Sequence, residues 1–391
     1  MLGLITVLGV VGGQLARKLG FPSVTGYIIM GLILGPSFME IVDQALLDAI
    51  TPITDFALGL IGFSLGAELK GKFLKSHWED FSMLFLGESL LTFLLVFMPS
   101  FIFTGNFPLA LMLGILAMAS APASVLSTMS EKNARGPFPR LLMSLVAIDS
   151  LFCITFFSIA TIILKVYYYG AVDTPSFWRY LGYELGLALF LGFLVGAGCI
   201  WVVNHIKEER RRQVLLVGII FIAVGLPRQM DISYLLVTLI SGIMIVNLTP
   251  NFRRFFYSLN SIDTPVLVLF LTLAGSRLQV GILPHVGVLG IIYITARLAG
   301  KMLGSHLGAL ICRYLPGICI HIEPSTRKYI GFALTPQAGV AVGLALLAEK
   351  ELMLPEDVLV TVILGSIIFF QIIGPFFLDI ALKKTDSIPA P

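Results

Sequence analysis

Charge is scarce in this sequence. Only 13% of its 391 residues are charged, against 57% that are hydrophobic, whereas a soluble globular domain carries about 25% charged residues. A deficit spread over the whole length excludes a soluble globular domain and leaves an integral membrane protein. Cysteine is scarce too. Cys153, Cys199, Cys312 and Cys319 lie in or near apolar runs, with no CxxC and no Cys/His spacing suited to a metal. Buried free thiols are therefore expected rather than a disulfide framework. The five histidines form no HExxH, and there is no GxGxxG and no Walker loop, so neither a cofactor nor a resident metal is expected. The net charge is only +3, with no basic stripe interleaved with aromatics, which argues against nucleic acid as a partner. The opening MLGLITVLGVVGGQLARKLG has no positive n-region and no small-residue cleavage site, and reads as a short first span.

What the chain has in abundance is apolar runs of spanning length. Their charged or Pro/Gly-rich breaks mark thirteen segments, at about 1–16, 24–38, 50–68, 81–103, 108–129, 139–164, 180–205, 212–226, 233–248, 262–281, 286–311, 328–348 and 355–382. Thirty-eight glycines and twenty prolines suit membrane helices, where neighbours satisfy freed backbone groups and small residues allow close packing. Positive charge gives orientation. Nineteen lysines and arginines, from Arg17 and Lys18 through Arg210, Arg211 and Arg212 to Lys383 and Lys384, fall on one side. Five, namely Lys165, Arg179, Arg228, Arg277 and Lys350, fall on the other. The positive-inside rule then puts the N-terminus outside and the C-terminus in the cytoplasm of a multi-pass protein of the cell inner membrane. Two basic residues remain, Arg297 and Lys301, inside the eleventh segment.

An internal repeat is also present. GYIIMGLILG (Gly26–Gly35) in the second segment resembles SYLLVTLISG (Ser233–Gly242) in the ninth. SAPASV in the fifth and LTPQAGV in the twelfth each place a proline among small residues in mid-span, at Pro122 and Pro336. Both pairs are seven segments apart, an odd number, so the repeats enter the membrane in opposite directions. Inverted repeats with helices broken in corresponding places point to a secondary transporter whose site lies near the midplane. A proline within a span frees carbonyls, and helix ends bring partial charges to that depth. Ser120, Ser124, Ser127 and Thr128 surround Pro122, and Thr335 and Gln337 flank Pro336. Their oxygens are hard ligands suited to a small alkali cation.

Few ionisable residues sit deep in a span: Asp55, Glu88, Asp149, Arg297 and Lys301. A charge at the centre of a spanning helix costs about 2.5–3.5 kcal/mol on insertion scales, so each needs a partner or a role. Asp149, in LVAIDSLF, reads either as half of an ion pair with Arg297 or as a titrating, ion-coupled group, and its place beside broken helices favours the second. Glu88 reads as a hydrogen-bonded acid, Asp55 as a solvated one near an interface, and Lys301 as a side chain that snorkels toward the cytoplasm. GFSLG (Gly62–Gly66) fits the GxSxG of serine hydrolases, but that motif needs a strand–turn–helix setting. Within a spanning helix it reads as a packing face, so no enzyme is expected.

Taken in order, GYIIMGLILGPS, DFALGLIGFSLGAEL, SAPASV, RRRQVLLVGIIF, YLLVTLISGIMIVN, VLFLTLAGSRL, ARLAGKMLG, FALTPQAGVAVGLA and IIGPFFLDIAL are similar to the cation:proton antiporter family, of the bacterial sodium/proton exchanger type. The resemblance implies an all-α polytopic membrane protein of about thirteen transmembrane helices, a single transporter domain over 1–391 with inverted repeats and two crossed broken helices. It further implies a mobile core within about 81–164 and 286–382, dimer or scaffold helices within about 1–68 and 212–281, a linker helix at about 180–205, and elevator-like transport by a homodimer in the lipid bilayer. The implied substrates are a monovalent cation and the proton. Asp149 would face the basic residue of the eleventh segment, Arg297, with Ser120, Ser124, Thr128, Ser150, Thr335 and Gln337 lining the ion path and Lys301 balancing charge. The chain departs from the family at two positions. The position after the acid normally holds a second aspartate, the direct cation ligand; here it is Ser150. A glutamate often seen before the last IIGP is Gln371. A serine hydroxyl ligates a cation but does not titrate near neutral pH. Two functions stay open: a monovalent cation/proton antiporter using Asp149, or a relative that transports without protons or does not transport.

Overall fold

The computed structural model describes residues 1–19, 21–69, 71–169, 174–278, 280–314, 323–352, 354–355 and 357–388, and its regular elements are helices. They are α1 (Leu2–Lys18), α2 (Ser23–Leu34), α3 (Gln44–Ala49), α4 (Thr51–Glu68), α5 (Gly71–Thr104), α6 (Phe107–Met118), α7 (Pro122–Glu131) and α8 (Pro137–Tyr169). There follow α9 (Thr174–His205), α10 (Glu209–Gln229), α11 (Tyr234–Leu248), α12 (Phe252–Ser276), α13 (Leu283–Tyr314), α14 (Pro324–Ala333), α15 (Gly339–Glu351) and α16 (Val358–Lys384). Among the described residues, six helices are long and apolar enough to cross a bilayer: α5, α8, α9, α10, α13 and α16. The sixteen helices map onto the thirteen apolar segments once the short α3 is set aside and α6/α7 and α14/α15 are each counted as one broken span. The fold is that of an all-α polytopic membrane protein.

The chain groups into two units, one of Met1–Val42, Phe73–Cys153 and Leu271–Pro391, the other of Asp43–Lys72 and Ile154–Phe270. In the second, α4 and α11 touch backbone to backbone. A Cβ on Gly66 would lie 2.2 Å from the Leu239 carbonyl oxygen, and one on Gly242 would lie 2.3 Å from that of Phe63. Ser64 is exposed. GFSLG is thus a helix-packing face, because only glycine lets the two helices come so near. Phe63, Cys199, Val203, Leu216, Ile220 and Phe255 fill the core beside it. Asp55 is buried rather than solvated. It forms an ion pair with Arg228 and accepts a hydrogen bond from the Tyr234 hydroxyl at 3.1 Å. The outer faces are apolar, as lipid contact requires: α9 exposes Phe190, Phe193 and Leu194, and α10 exposes Val214, Phe221 and Ile222.

In the first unit, α5, α7, α8, α14 and α16 share a core containing Leu84, Val125, Leu145, Ile330 and Leu378. A glycine at every fourth position of α13 sets the distance to α5. A Cβ on Gly300, Gly304 or Gly308 would lie 2.4 Å from Thr92 Cα, 2.6 Å from the Gly87 carbonyl oxygen or 2.6 Å from that of Met83, respectively. This stripe fixes the register in which α5 presents Glu88 to α13. Overpacking a close contact costs about 1–3 kcal/mol, so Gly304→Val should lower the melting temperature in detergent. An unchanged value would show that the close approach contributes nothing.

Cys153 and Cys199 are buried free thiols. Lys70 and Cys319 lie outside the described residues, as do the side chains of Lys72, Lys75, Cys312 and Arg313.

Candidate functional site

Two helix breaks meet inside the first unit. The residue before a proline is driven out of the α region, and Ala121, before Pro122, is extended at φ −100°, ψ 99°. α6 therefore ends at Met118 and α7 begins at Pro122. The corresponding break separates α14, ending at Ala333, from α15, beginning at Gly339, with Pro336 between them. Each break satisfies the other. The Ala121 N–H donates to the Pro336 carbonyl at 2.9 Å, and Gln337 Nε2 donates to the Leu116 carbonyl at 2.9 Å and the Tyr293 hydroxyl at 2.9 Å.

Arg297 locks this crossing. Its Nε donates to the Ala117 carbonyl at 3.0 Å, one terminal nitrogen to that of Thr335 at 2.8 Å, and the other to that of Ala119 at 2.8 Å. Its guanidinium carbon stands 4.3 Å from the centre of the Phe370 ring, a cation–π contact. These carbonyls are the ones that the ends of α6 and α14 leave without intrahelical partners, where the helix dipole is negative. The direct pairing of Arg297 with Asp149 expected from sequence is not formed. A planar fork with five donors suits three carbonyls from two chain breaks better than one carboxylate.

Lys301, one turn further along α13, takes the place expected of Arg297. It does not snorkel: its side chain is 0% exposed. Its ammonium donates to Asp149 Oδ2 at 3.0 Å, Ser120 Oγ at 3.1 Å and the Met118 carbonyl at 2.6 Å, and forms an ion pair with Glu88. Ser120, in the first break, lies with its hydroxyl 2.8 Å from Asp149 Oδ2 and 3.2 Å from the Leu334 carbonyl. Asp149 thus sits, wholly buried, between a helix break and a buried ammonium. Ser150 points its hydroxyl at two carbonyls, Val146 at 3.0 Å in its own helix and Ser120 at 3.2 Å in the break.

The remaining expected residues divide. Ser124 and Gln371 pair across α7 and α16, with Gln371 Nε2 donating to Ser124 Oγ at 3.0 Å and to the Gln337 carbonyl at 2.9 Å. Gln371 thereby staples α16 to the second break. Gln337 Oε1 is buried without a hydrogen-bond partner among the described residues, which leaves one oxygen free to accept. Thr335 serves through its carbonyl, while its hydroxyl donates to Phe332 at 2.8 Å. Thr128 bonds along its own helix, to the Ser124 carbonyl at 3.0 Å, and Ser127 bonds at the surface to Glu131. Glu88 is the residue that sequence reasoning placed outside the site and the fold brings into it. The signal that points to it is the glycine spacing of AGKMLGSHLG on α13, facing the glycine of LGES on α5.

The sequence matches the family model of the sodium/hydrogen exchanger, transmembrane, over residues 3–384. The fold is similar to the solved structure of the sodium proton antiporter MjNhaP1 from Methanocaldococcus jannaschii at pH 8, with a TM-score of 0.76 at 17% identity, covering 98% of this chain and 97% of that one. An electron-microscopy structure of the same antiporter aligns with a TM-score of 0.69 at 17% identity, over 100% of this chain and 98% of the other. No curated protein matches the sequence.

Proposed function

Since the chain belongs to the sodium/hydrogen exchanger family, we propose that it is a secondary active transporter that exchanges a monovalent cation, Na+ or K+, for protons, with Asp149 as the exchanging group. The observation that carries this reading is Asp149 itself, a fully buried carboxylate held between the hydroxyl of a helix break and the ammonium of Lys301. A carboxylate in that position binds either a proton or a cation, and the two compete for the same oxygens. Ser120 Oγ and the free oxygen of Gln337 are further hard ligands near the breaks. Lys301 offsets the charge of Asp149 when neither cargo is bound.

In this proposal the core helices within about 81–164 and 286–382 carry the site across the membrane in elevator fashion. Scaffold helices within about 1–68 and 212–281 hold a homodimer, and the helix at about 180–205 links the two parts. The protein lies in the cell inner membrane with its N-terminus outside, following the distribution of Lys and Arg. Residues 1–42, within the scaffold range, group with 73–153 and 271–391 in the first unit.

A second reading draws on Ser150. Its hydroxyl is directed at two backbone carbonyls and brings no titrating group, which favours transport without protons. The two readings separate in everted vesicles given Na+, K+ or Li+ across a pH series. The antiport reading expects each accepted cation to move protons with the native protein, and Ser150→Asp to alter the pH profile. A native protein that moves no protons, together with a Ser150→Asp variant that does, would establish the second reading instead.

A further inference from the structure

Ser150 deprives Asp149 of a carboxylate beside it in sequence, and the fold supplies one from another helix. Glu88, on α5, is 1% exposed and shares the Lys301 ammonium with Asp149. The two acids are joined a second time through Ser89. Its hydroxyl lies 3.0 Å from Glu88 Oε2 and 3.4 Å from Asp149 Oδ1, and a single hydroxyl hydrogen serves only one of them at a time. Thr92 Oγ1 approaches Glu88 Oε1 at 3.4 Å. Lys301 has three N–H bonds for four acceptors, namely Glu88, Asp149, Ser120 and the Met118 carbonyl. Arg297 is directed at the carbonyls of the breaks and bonds to neither acid. Among the described residues, the charged groups facing Glu88 are Lys301 and Arg297 from α13 and Asp149 from α8, with Tyr293 and Cys153 further along the same two helices.

Two buried carboxylates here draw on one ammonium and one hydroxyl, while Arg297 gives its donors to the carbonyls of the breaks. A proton held between the two acids supplies the donor that this arrangement lacks. We propose that Glu88 is the second cargo-carrying carboxylate of this transporter, pairing with Asp149 across α5 and α8 to hold one exchangeable proton in place of the acid absent at position 150. This rests on the antiport reading above. The exchange balances. The carboxyl O–H breaks, its electron pair stays on the carboxylate, and the proton leaves to water as one monovalent cation enters. The site has the same charge in both states, and a divalent cation leaves it one charge out of balance.

The test uses the full-length protein in proteoliposomes, with cation-driven proton flux recorded against pH for the native protein, Asp149→Asn, Glu88→Gln and Glu88→Asp. Glu88→Gln should reduce exchange roughly 100-fold, as expected for loss of a proton-transferring group. Glu88→Asp keeps a carboxylate on a shorter arm and should retain exchange with a displaced pH profile, which a mere counter-ion to Lys301 would not produce. Should Glu88→Gln fail to fold, the Glu88→Asp profile decides alone: displaced supports the pairing, unchanged overturns it. Native rate and pH profile in Glu88→Gln, with Asp149→Asn inactive, would overturn the role of Glu88 and leave the antiport reading standing. Absence of exchange in the native protein would overturn both.

Discussion

Asp149→Asn is expected to abolish pH-dependent cation/proton exchange, lowering the rate by about 100-fold or more, while leaving the protein folded. The amide matches the carboxylate in shape and still accepts from Ser120 Oγ, which stands 2.8 Å from Oδ2 in the native protein. Lys301 keeps Glu88 and the Met118 carbonyl as partners, so the variant does not strand a buried ammonium. What is lost is the ability to take up and release a proton. Proteoliposome flux checks the rate, and the detergent melting temperature checks the fold. Undiminished exchange by Asp149→Asn would remove Asp149 from the mechanism.

Arg297→Ala should act in the opposite sense, on the fold first and on transport as a consequence. It withdraws donors from three buried carbonyls, those of Ala117, Ala119 and Thr335, and a buried acceptor left without a partner costs about 1–3 kcal/mol. Set against a typical total stability of about 5–15 kcal/mol, three such losses are enough to unfold the crossing. The expected result is a large fall in melting temperature or in the yield of folded protein. Arg297→Lys should recover only part of it, since an ammonium lacks the planar fork that reaches two breaks at once. A stable Arg297→Ala variant that has merely lost exchange would mean that Arg297 acts on the cargo, not on the breaks.

The comparison of these two residues shows where sequence reasoning reaches its end. Apolar runs, alternating charge and the two mid-span prolines led to the thirteen segments and to the meeting of the two breaks, because each is a local property of the chain. The buried acid at 149 and the two basic residues at 297 and 301 stood out because membrane interiors penalise charge. The partner of Asp149 was not legible. Arg297 and Lys301 are four residues apart and share one face of α13, so spacing does not choose between them. The choice follows from the shape of each head group against acceptors that come from α6, α8 and the second break. Glu88 was still less legible, since its place depends on how closely α5 approaches α13, a distance set by glycines at 87, 300, 304 and 308. The burial of Asp55 is hidden from the sequence for a similar reason: Arg228 and Tyr234, its partners, are more than 170 residues away.

The antiport proposal requires that this chain exchange cations for protons without an acid at position 150. The most direct measurement reconstitutes the purified native protein in proteoliposomes, imposes a gradient of Na+ or K+, and follows internal pH with a trapped dye. Proton movement opposite to the cation is expected, dependent on pH and absent from liposomes lacking protein. Internal pH that stays the same with and without protein, for Na+, K+ and Li+ alike, would contradict it.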